Sequence, residues 1–212
     1  LFFQKLIPFC PQKDTLQKNT TWLLWCRVLV AVLPSAVLGL LCDDFMDAHF
    51  YNYVVVSIAL IFYGIAFLFV EKTRKGNLLN SVDAIDWKTA LFIGCFQCLS
   101  LIPGTSRSGS TILGALLLGV SRSAGAEFSF FLAIPTMLGA SALKLLKFLM
   151  EGVTATATEW GVLAVGCIVS FLVSVLVIRG LMEYVRKRSF APFGIYRIAL
   201  GILVLGYFSI FA

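Results

Sequence analysis

Between positions 103 and 111 the chain reads Pro103-Gly104-Thr105-Ser106-Arg107-Ser108-Gly109-Ser110-Thr111, one arginine among hydroxyl residues with a glycine on either side. A guanidinium presents its N–H groups as a planar fork that fits phosphate oxygens two at a time. Thr105, Ser106, Ser108, Ser110 and Thr111 add hydroxyl donors around it, and Gly104 and Gly109 let backbone N–H groups approach a ligand with no Cβ in the way. The apolar run that follows predicts a helix starting near Ser110 or Thr111. Its first N–H groups and positive dipole end would point back into the same loop, as at other anion sites. These residues describe a phosphate pocket centred on Arg107. They describe equally well a hydroxyl-rich turn between packed helices, with Arg107 paired to a carboxylate.

The surroundings of this loop are apolar. The chain has 212 residues, 59% of them hydrophobic and 13% charged, with a mean hydropathy of +0.93, where a soluble domain carries about 25% charged residues. Disorder and a secreted disulfide scaffold are excluded. So is a nucleic-acid partner, because the net charge of +6 is what basic cytoplasmic loops produce in a membrane protein. A transmembrane helix needs about 20 apolar residues, and the segments 22–42, 53–70, 124–148, 160–178 and 191–212 qualify. Segments 87–102 and 111–120 are too short to cross alone at about 1.5 Å per residue. They predict a re-entrant helix–loop–helix hairpin over 87–120, turning at 103–111. The expected fold is an all-α integral membrane protein, a single polytopic domain over 1–212 with about five spans and this hairpin. Arginine at that depth is costly and normally has a partner or a task.

Charge sets the expected orientation. Lys5, Lys13 and Lys18 precede the first span, Asp43, Asp44 and Asp47 occupy an expected loop at 43–52, and Lys72, Arg74, Lys75 and Lys88 lie between the second span and the hairpin. Glu151 and Glu159 then face Arg179, Arg186, Lys187 and Arg188 across the fourth span. Because bases collect on the cytoplasmic side, the amino end is expected inside and the carboxyl end outside. Charge does not separate a hairpin from two full spans, since both return the chain to its starting side; only length favours the hairpin.

Four further readings concern polar residues elsewhere. Glu127, about one turn into the span after the hairpin, could orient Arg107 or line the pocket, or could cap its helix at the interface. Arg27 and Arg197, near the cytoplasmic ends of their spans, are expected to snorkel to the headgroups. The lone His49 beside the aspartates reads as an exposed loop residue rather than a metal ligand. Cys95 and Cys98 have redox spacing but no second pair, and read as small hydrophobes in an apolar run.

The strings Phe92-Ile93-Gly94-Cys95-Phe96-Gln97-Cys98 and Pro103-Gly104-Thr105-Ser106-Arg107-Ser108 with Thr111 resemble the undecaprenyl-diphosphate phosphatase (bacitracin-resistance) family and its signature P-G-x-S-R-S-x-x-T. Gly119-Val120-Ser121-Arg122, Ala126-Glu127-Phe128-Ser129-Phe130 and Phe190-Ala191-Pro192-Phe193-Gly194-Ile195-Tyr196-Arg197 extend the likeness. It implies an inverted-repeat protein of the bacterial cytoplasmic membrane. It also implies hydrolysis of undecaprenyl diphosphate to the monophosphate and inorganic phosphate, which recycles a cell-wall lipid carrier and confers bacitracin resistance. By position Ser106, Arg107 and Thr111 would be catalytic, Gly104, Thr105, Ser108, Gly109 and Ser110 would line the substrate site, and Glu127 would support them. The resemblance also implies a divalent cation, Mg2+ or Ca2+, with a polyprenyl diphosphate and membrane lipids as partners. The family's other signature, (E/Q)-x-x-x-E followed by a Ser and a His, has no counterpart in 1–212. The stretch from Leu1 to Phe9 looks like the frayed end of a cut chain. The metal ligands are therefore expected in a preceding region, and this stretch alone is expected to be inactive. A transporter or flippase of a polyprenyl phosphate is the alternative; a histidine-dependent lipid phosphatase is disfavoured by the single histidine.

Overall fold

The computed structural model describes residues 14–73, 76, 78–151 and 156–211. Seven α-helices carry the fold: α1 (Thr15–Phe50), α2 (Tyr53–Thr73), α3 (Trp87–Cys98), α4 (Arg107–Leu117), α5 (Arg122–Met150), α6 (Ala157–Lys187) and α7 (Ala191–Phe211), with single 3-10 turns at Val82–Ala84 and Leu99–Leu101. Five of them, α1, α2, α5, α6 and α7, are long and apolar enough to cross a membrane. The protein is an all-α integral membrane protein.

The spans agree with the apolar runs except where a helix continues past its greasy stretch. The expected loop at 43–52 is one such place, because α1 runs on through Asp43, Asp44 and Asp47 to Phe50. No glycine or proline interrupts 41–50, so nothing local ends the helix where its apolarity ends. The turn is confined to Tyr51 and Asn52, and Asn52 Oδ1 accepts the Val55 N–H at 2.9 Å to start α2.

Segment 87–120 is a closed hairpin. Asp86 caps α3 by accepting the Thr89 N–H at 2.9 Å, and α4, with 11 residues, reaches only about 16 Å. The two ends are stitched together: Leu78 donates to the Gly119 carbonyl at 3.0 Å, and Ser121 donates to the Leu79 carbonyl at 2.8 Å. Length and stitching together separate a hairpin from two full crossings, which charge did not.

The return helix α4 is the most enclosed element, since every residue from Ser110 to Leu116 is buried. A helix apolar on all sides must be covered on all sides, and α4 lies between two packed groups. One includes Val28, Ile85, Ile93, Phe128 and Phe131, the other Tyr63, Phe67, Ile112, Leu113 and Met182.

Helices α2 and α7 run antiparallel in close contact. A Cβ added at Gly64 would lie 2.7 Å from the Gly194 carbonyl oxygen, and one at Gly201 would lie 2.9 Å from that of Ser57. Small residues allow such approach where hydrocarbon supplies no hydrophobic drive. At the end of α2, Glu71 accepts from Arg122 Nε at 2.9 Å and from the Phe190 N–H at 3.0 Å, fastening the starts of α5 and α7. Mid-bundle, Gln97 donates to Ser35 at 2.6 Å and lies 3.4 Å from the Thr136 hydroxyl. Each hydroxyl follows a helix proline, Pro34 or Pro135.

Candidate phosphate site

The site begins at a turn that only glycine fits. Gly104 adopts φ +86°, a left-handed conformation costly for residues with a Cβ. Its missing side chain leaves room for α2, where an added Cβ would stand 2.5 Å from the Val56 carbonyl oxygen. Two residues later Ser106 turns the chain into α4, its hydroxyl accepting the Gly109 N–H at 3.1 Å and its carbonyl accepting the Ser110 N–H at 2.8 Å. A serine at this position is a strong helix start. The helix therefore begins at Arg107, three residues before the expected Ser110 or Thr111.

That earlier start decides which groups face a ligand. With the Gly109 and Ser110 N–H groups committed to Ser106, the N–H groups of Arg107 and Ser108 have no partner among the described residues. They are the unpaired donors of a helix N-terminus. The Arg107 side chain is half-buried and makes no hydrogen bond or ion pair with the described residues. The carboxylate pairing that a structural turn would require is not made. Ser108 is exposed, with its hydroxyl 3.3 Å from that of Ser106. The Thr105 hydroxyl is buried beside the turn without a hydrogen-bond partner.

Other predicted residues are placed differently. Gly109, expected to lend its N–H to a ligand, donates it to the Ser106 cap instead. Ser110 and Thr111 are enclosed, at 0% and 1% exposure, because they sit inside the first turn of a buried helix. Both hydroxyls donate to the Arg107 carbonyl, at 3.0 and 3.1 Å, and Thr111 Oγ1 lies 2.7 Å from Ser129 Oγ on α5. Here they fix the helix end. Glu127 is buried in the second turn of α5. Among the described residues no group of three or more His, Cys, Asp or Glu is gathered to hold a metal ion. His49 lies apart on the end of α1, exposed and stacked on Phe45. Cys95 and Cys98 are free thiols.

Of the two arginines expected to snorkel, Arg197 does not. Arg197 Nη2 donates to the Gly104 carbonyl at 2.8 Å, with its guanidinium 5.9 Å from the centre of the Tyr63 ring. Arg27 Nη1 donates to the Asp83 carbonyl at 2.9 Å and lies 5.9 Å from the Trp87 ring. The Gly104 carbonyl, in a turn packed against α2, offers Arg197 a nearer acceptor than distant headgroups, whereas Asp83 is exposed in the loop before the hairpin, so Arg27 reaches toward that end of its span. The signal that could have found Arg197 was the one used for Arg107, a charge at membrane depth.

The profile described as "Bacitracin resistance protein BacA" matches residues 1–203. Undecaprenyl-diphosphatase of Lactiplantibacillus plantarum is 54% identical over 99% of the chain and 77% of the relative. Undecaprenyl-diphosphatase of Enterococcus faecalis and undecaprenyl-diphosphatase 1 of Clostridioides difficile are 53% and 55% identical, each over 98% of the chain and 76% and 75% of the relative. The chain belongs to the BacA bacitracin-resistance family.

Proposed function

We propose that the protein is a membrane hydrolase that converts undecaprenyl diphosphate to undecaprenyl phosphate and inorganic phosphate. The observation that carries this reading is the Arg107 guanidinium, with no carboxylate partner among the described residues, beside two N–H groups at the start of α4 that likewise have none there. The shared name of the relatives points the same way. In hydrolysis a water oxygen bonds to the terminal phosphorus, the bridging P–O bond breaks, and the lipid monophosphate leaves with the bonding electrons. Negative charge then grows on the phosphoryl and bridging oxygens, where preorganised donors contribute most. Arg107 grips two phosphoryl oxygens and the N–H groups of Arg107 and Ser108 meet a third. Ser108 adds a hydroxyl at the open edge, Ser106 and Gly109 shape the helix end, and Thr105, Ser110 and Thr111 support it from below with Glu127 behind them. The implied Mg2+ or Ca2+ finds no ligand set among the described residues; the positive charge available here is that of Arg107 and the helix end.

The lipid tail stays in the bilayer, which we take to be the bacterial cytoplasmic membrane. The start of α1 faces the cytoplasm and the end of α7 faces outward, following the bases at Lys18, Lys72 and Lys88. The turn at Gly104 packs against Val56, three residues into α2. It therefore lies about one helical turn from the outward end of that helix, and the pocket opens outward.

The test is phosphate release from undecaprenyl diphosphate in mixed micelles by the purified full-length protein and its Arg107→Ala variant. A folded variant should lose about 10²- to 10³-fold in turnover. Turnover within about threefold of wild type would return the loop to a structural turn. Movement of a polyprenyl phosphate with no phosphate released would establish transport instead.

A further inference from the structure

An anion pocket built from N–H groups is spoiled by any carbonyl oxygen turned toward it, since each carries partial negative charge. Gly104 lies in a left-handed turn three residues before Arg107, so its carbonyl stands close to the start of α4. Its oxygen is instead held by Arg197, which comes from α7, 93 residues further along the chain. Three observations make this more than an incidental contact. Arg197 Nε is buried without a hydrogen-bond partner, so the guanidinium sits where it reaches Gly104 at the expense of its own satisfaction. No carboxylate pairs with it among the described residues; its cationic face is met only by the Tyr63 ring, a favourable but weaker contact. And α7 is fixed against α2 by backbone approach at Gly64, Gly194 and Gly201, the same α2 on which Gly104 rests at Val56. The turn is thus gripped from two sides by one rigid helix pair.

We infer that Arg197 is a positioning residue for the phosphate site: it holds the Gly104 carbonyl away from the ligand, so that the N–H groups and guanidinium at the start of α4 face the phosphate in one fixed arrangement. It acts through the loop and touches no reacting atom. Two guanidinium groups with no carboxylate partner among the described residues, one at the start of α4 and one reaching in from α7, also make the empty site electrostatically unfavourable, and a multiply charged diphosphate relieves this. The inference rests on the phosphate reading of the loop.

The experiment is steady-state kinetics of phosphate release by the full-length protein and its Arg197→Met, Arg197→Lys, Arg107→Ala and Arg107→Ala/Arg197→Met variants, with amide exchange followed over 103–108. Methionine keeps a long apolar stem and removes every donor. Because a misplacement of about 1 Å can cost about 10²-fold, Arg197→Met should lower kcat about 10- to 100-fold with KM within about threefold, and should speed exchange in the loop. Lysine, which keeps charge and one donor arm, should recover part of the loss. Groups that act as a unit are not additive, so the double variant should fall no more than about twofold below Arg107→Ala. Wild-type kcat in Arg197→Met while Arg107→Ala is inactive would overturn the inference and leave the function standing. So would a KM effect alone, or full multiplication of the two losses. An active Arg107→Ala would overturn the function itself. Should Arg197→Met fail to fold, Arg197→Lys decides: kcat between wild type and Arg107→Ala supports the role, and wild-type kcat with wild-type exchange refutes it.

Discussion

Replacing Gly104 with alanine tests the geometry of the site with one methyl group. The backbone there has φ +86°, and holding an L side chain in that region costs about 1–2 kcal/mol. The added Cβ would also stand 2.5 Å from the Val56 carbonyl oxygen, 2.8 Å from Val56 Cα and 3.0 Å from its carbonyl carbon. All three are backbone atoms of α2, which cannot swing aside as a side chain would, and α2 is held in turn by its close approach to α7. The loop must therefore give way, by about 0.9 Å to regain the 3.4 Å of ordinary contact. Overpacking of this kind costs about 1–3 kcal/mol, so the total loss of stability is about 2–5 kcal/mol.

The effect on turnover should exceed the effect on folding. A shift of nearly 1 Å moves the Gly104 carbonyl relative to Arg197 and carries Ser106 and the start of α4 with it, and displacements of that size cost about 10²-fold in rate. The assay is phosphate release by folded protein, beside thermal unfolding in the same detergent. Gly139→Ala is the control, since Gly139 lies in α5 with nothing within 4 Å of an added Cβ. It should leave turnover unchanged and raise stability by up to about 1 kcal/mol, the helix preference for alanine. Full turnover in folded Gly104→Ala would mean that the loop tolerates the shift and that its shape is not part of the chemistry.

Two other perturbations separate support from binding. Thr111→Val removes the hydroxyl 2.7 Å from Ser129 and should cost about 1–3 kcal/mol by leaving a buried group unpaired; Thr111→Val/Ser129→Ala should cost less than the two single changes together, read by unfolding in detergent. The Asp86 carboxyl is held below its usual range by the Thr89 hydroxyl and N–H. A depressed folded pKa means that the cap contributes fully above the unfolded carboxylate value of about 3.9, and that the contribution is lost as pH falls through the lower folded value. Asp86→Ala should thus cost about 1 kcal/mol near neutral pH, a gap that narrows in acid, and Asp86→Asn, which also carries no titrating group, should show the same pH dependence displaced by a constant amount set by its own capping strength.

Much of the fold was legible because hydrocarbon imposes a length. The run 53–70 became Tyr53–Thr73, and 87–102 became α3 with its 3-10 turn, ending at Leu101. The misplaced boundaries at 41–50 and at the start of α4, like the extension of α6 from the expected 178 to Lys187, came from equating the end of apolarity with the end of a helix. The helix at 41–50 continues because hydrogen bonding and propensity do not require greasy side chains. At the start of α4, the Ser106 cap sets the boundary, and a single serine with glycine three residues on is a quieter signal than a change from polar to apolar. That boundary is the one that matters, since it moves Ser110, Thr111 and Gly109 from the expected ligand face into the framework and leaves Arg107 and Ser108 at the open end.

The remaining gap is one of distance along the chain. A sequence shows how far Arg197 lies from the start of its own helix, which favours snorkelling, but it does not show which carbonyl of another helix stands at the same depth. A hairpin that stops inside the membrane creates that carbonyl of necessity. To aim a helix N-terminus at an anion within hydrocarbon, the chain must reverse there, and each reversal leaves backbone oxygens without helical partners. They must be satisfied by donors from neighbouring helices, and only arginine has both the reach and the fork to do so while remaining charged. Arg197 at the Gly104 carbonyl, at the tip of the hairpin, is an instance of this requirement; Arg27 holds the exposed Asp83 carbonyl in the loop before it. Arg107 differs from both in holding no carbonyl, which is the reason to assign it to the ligand.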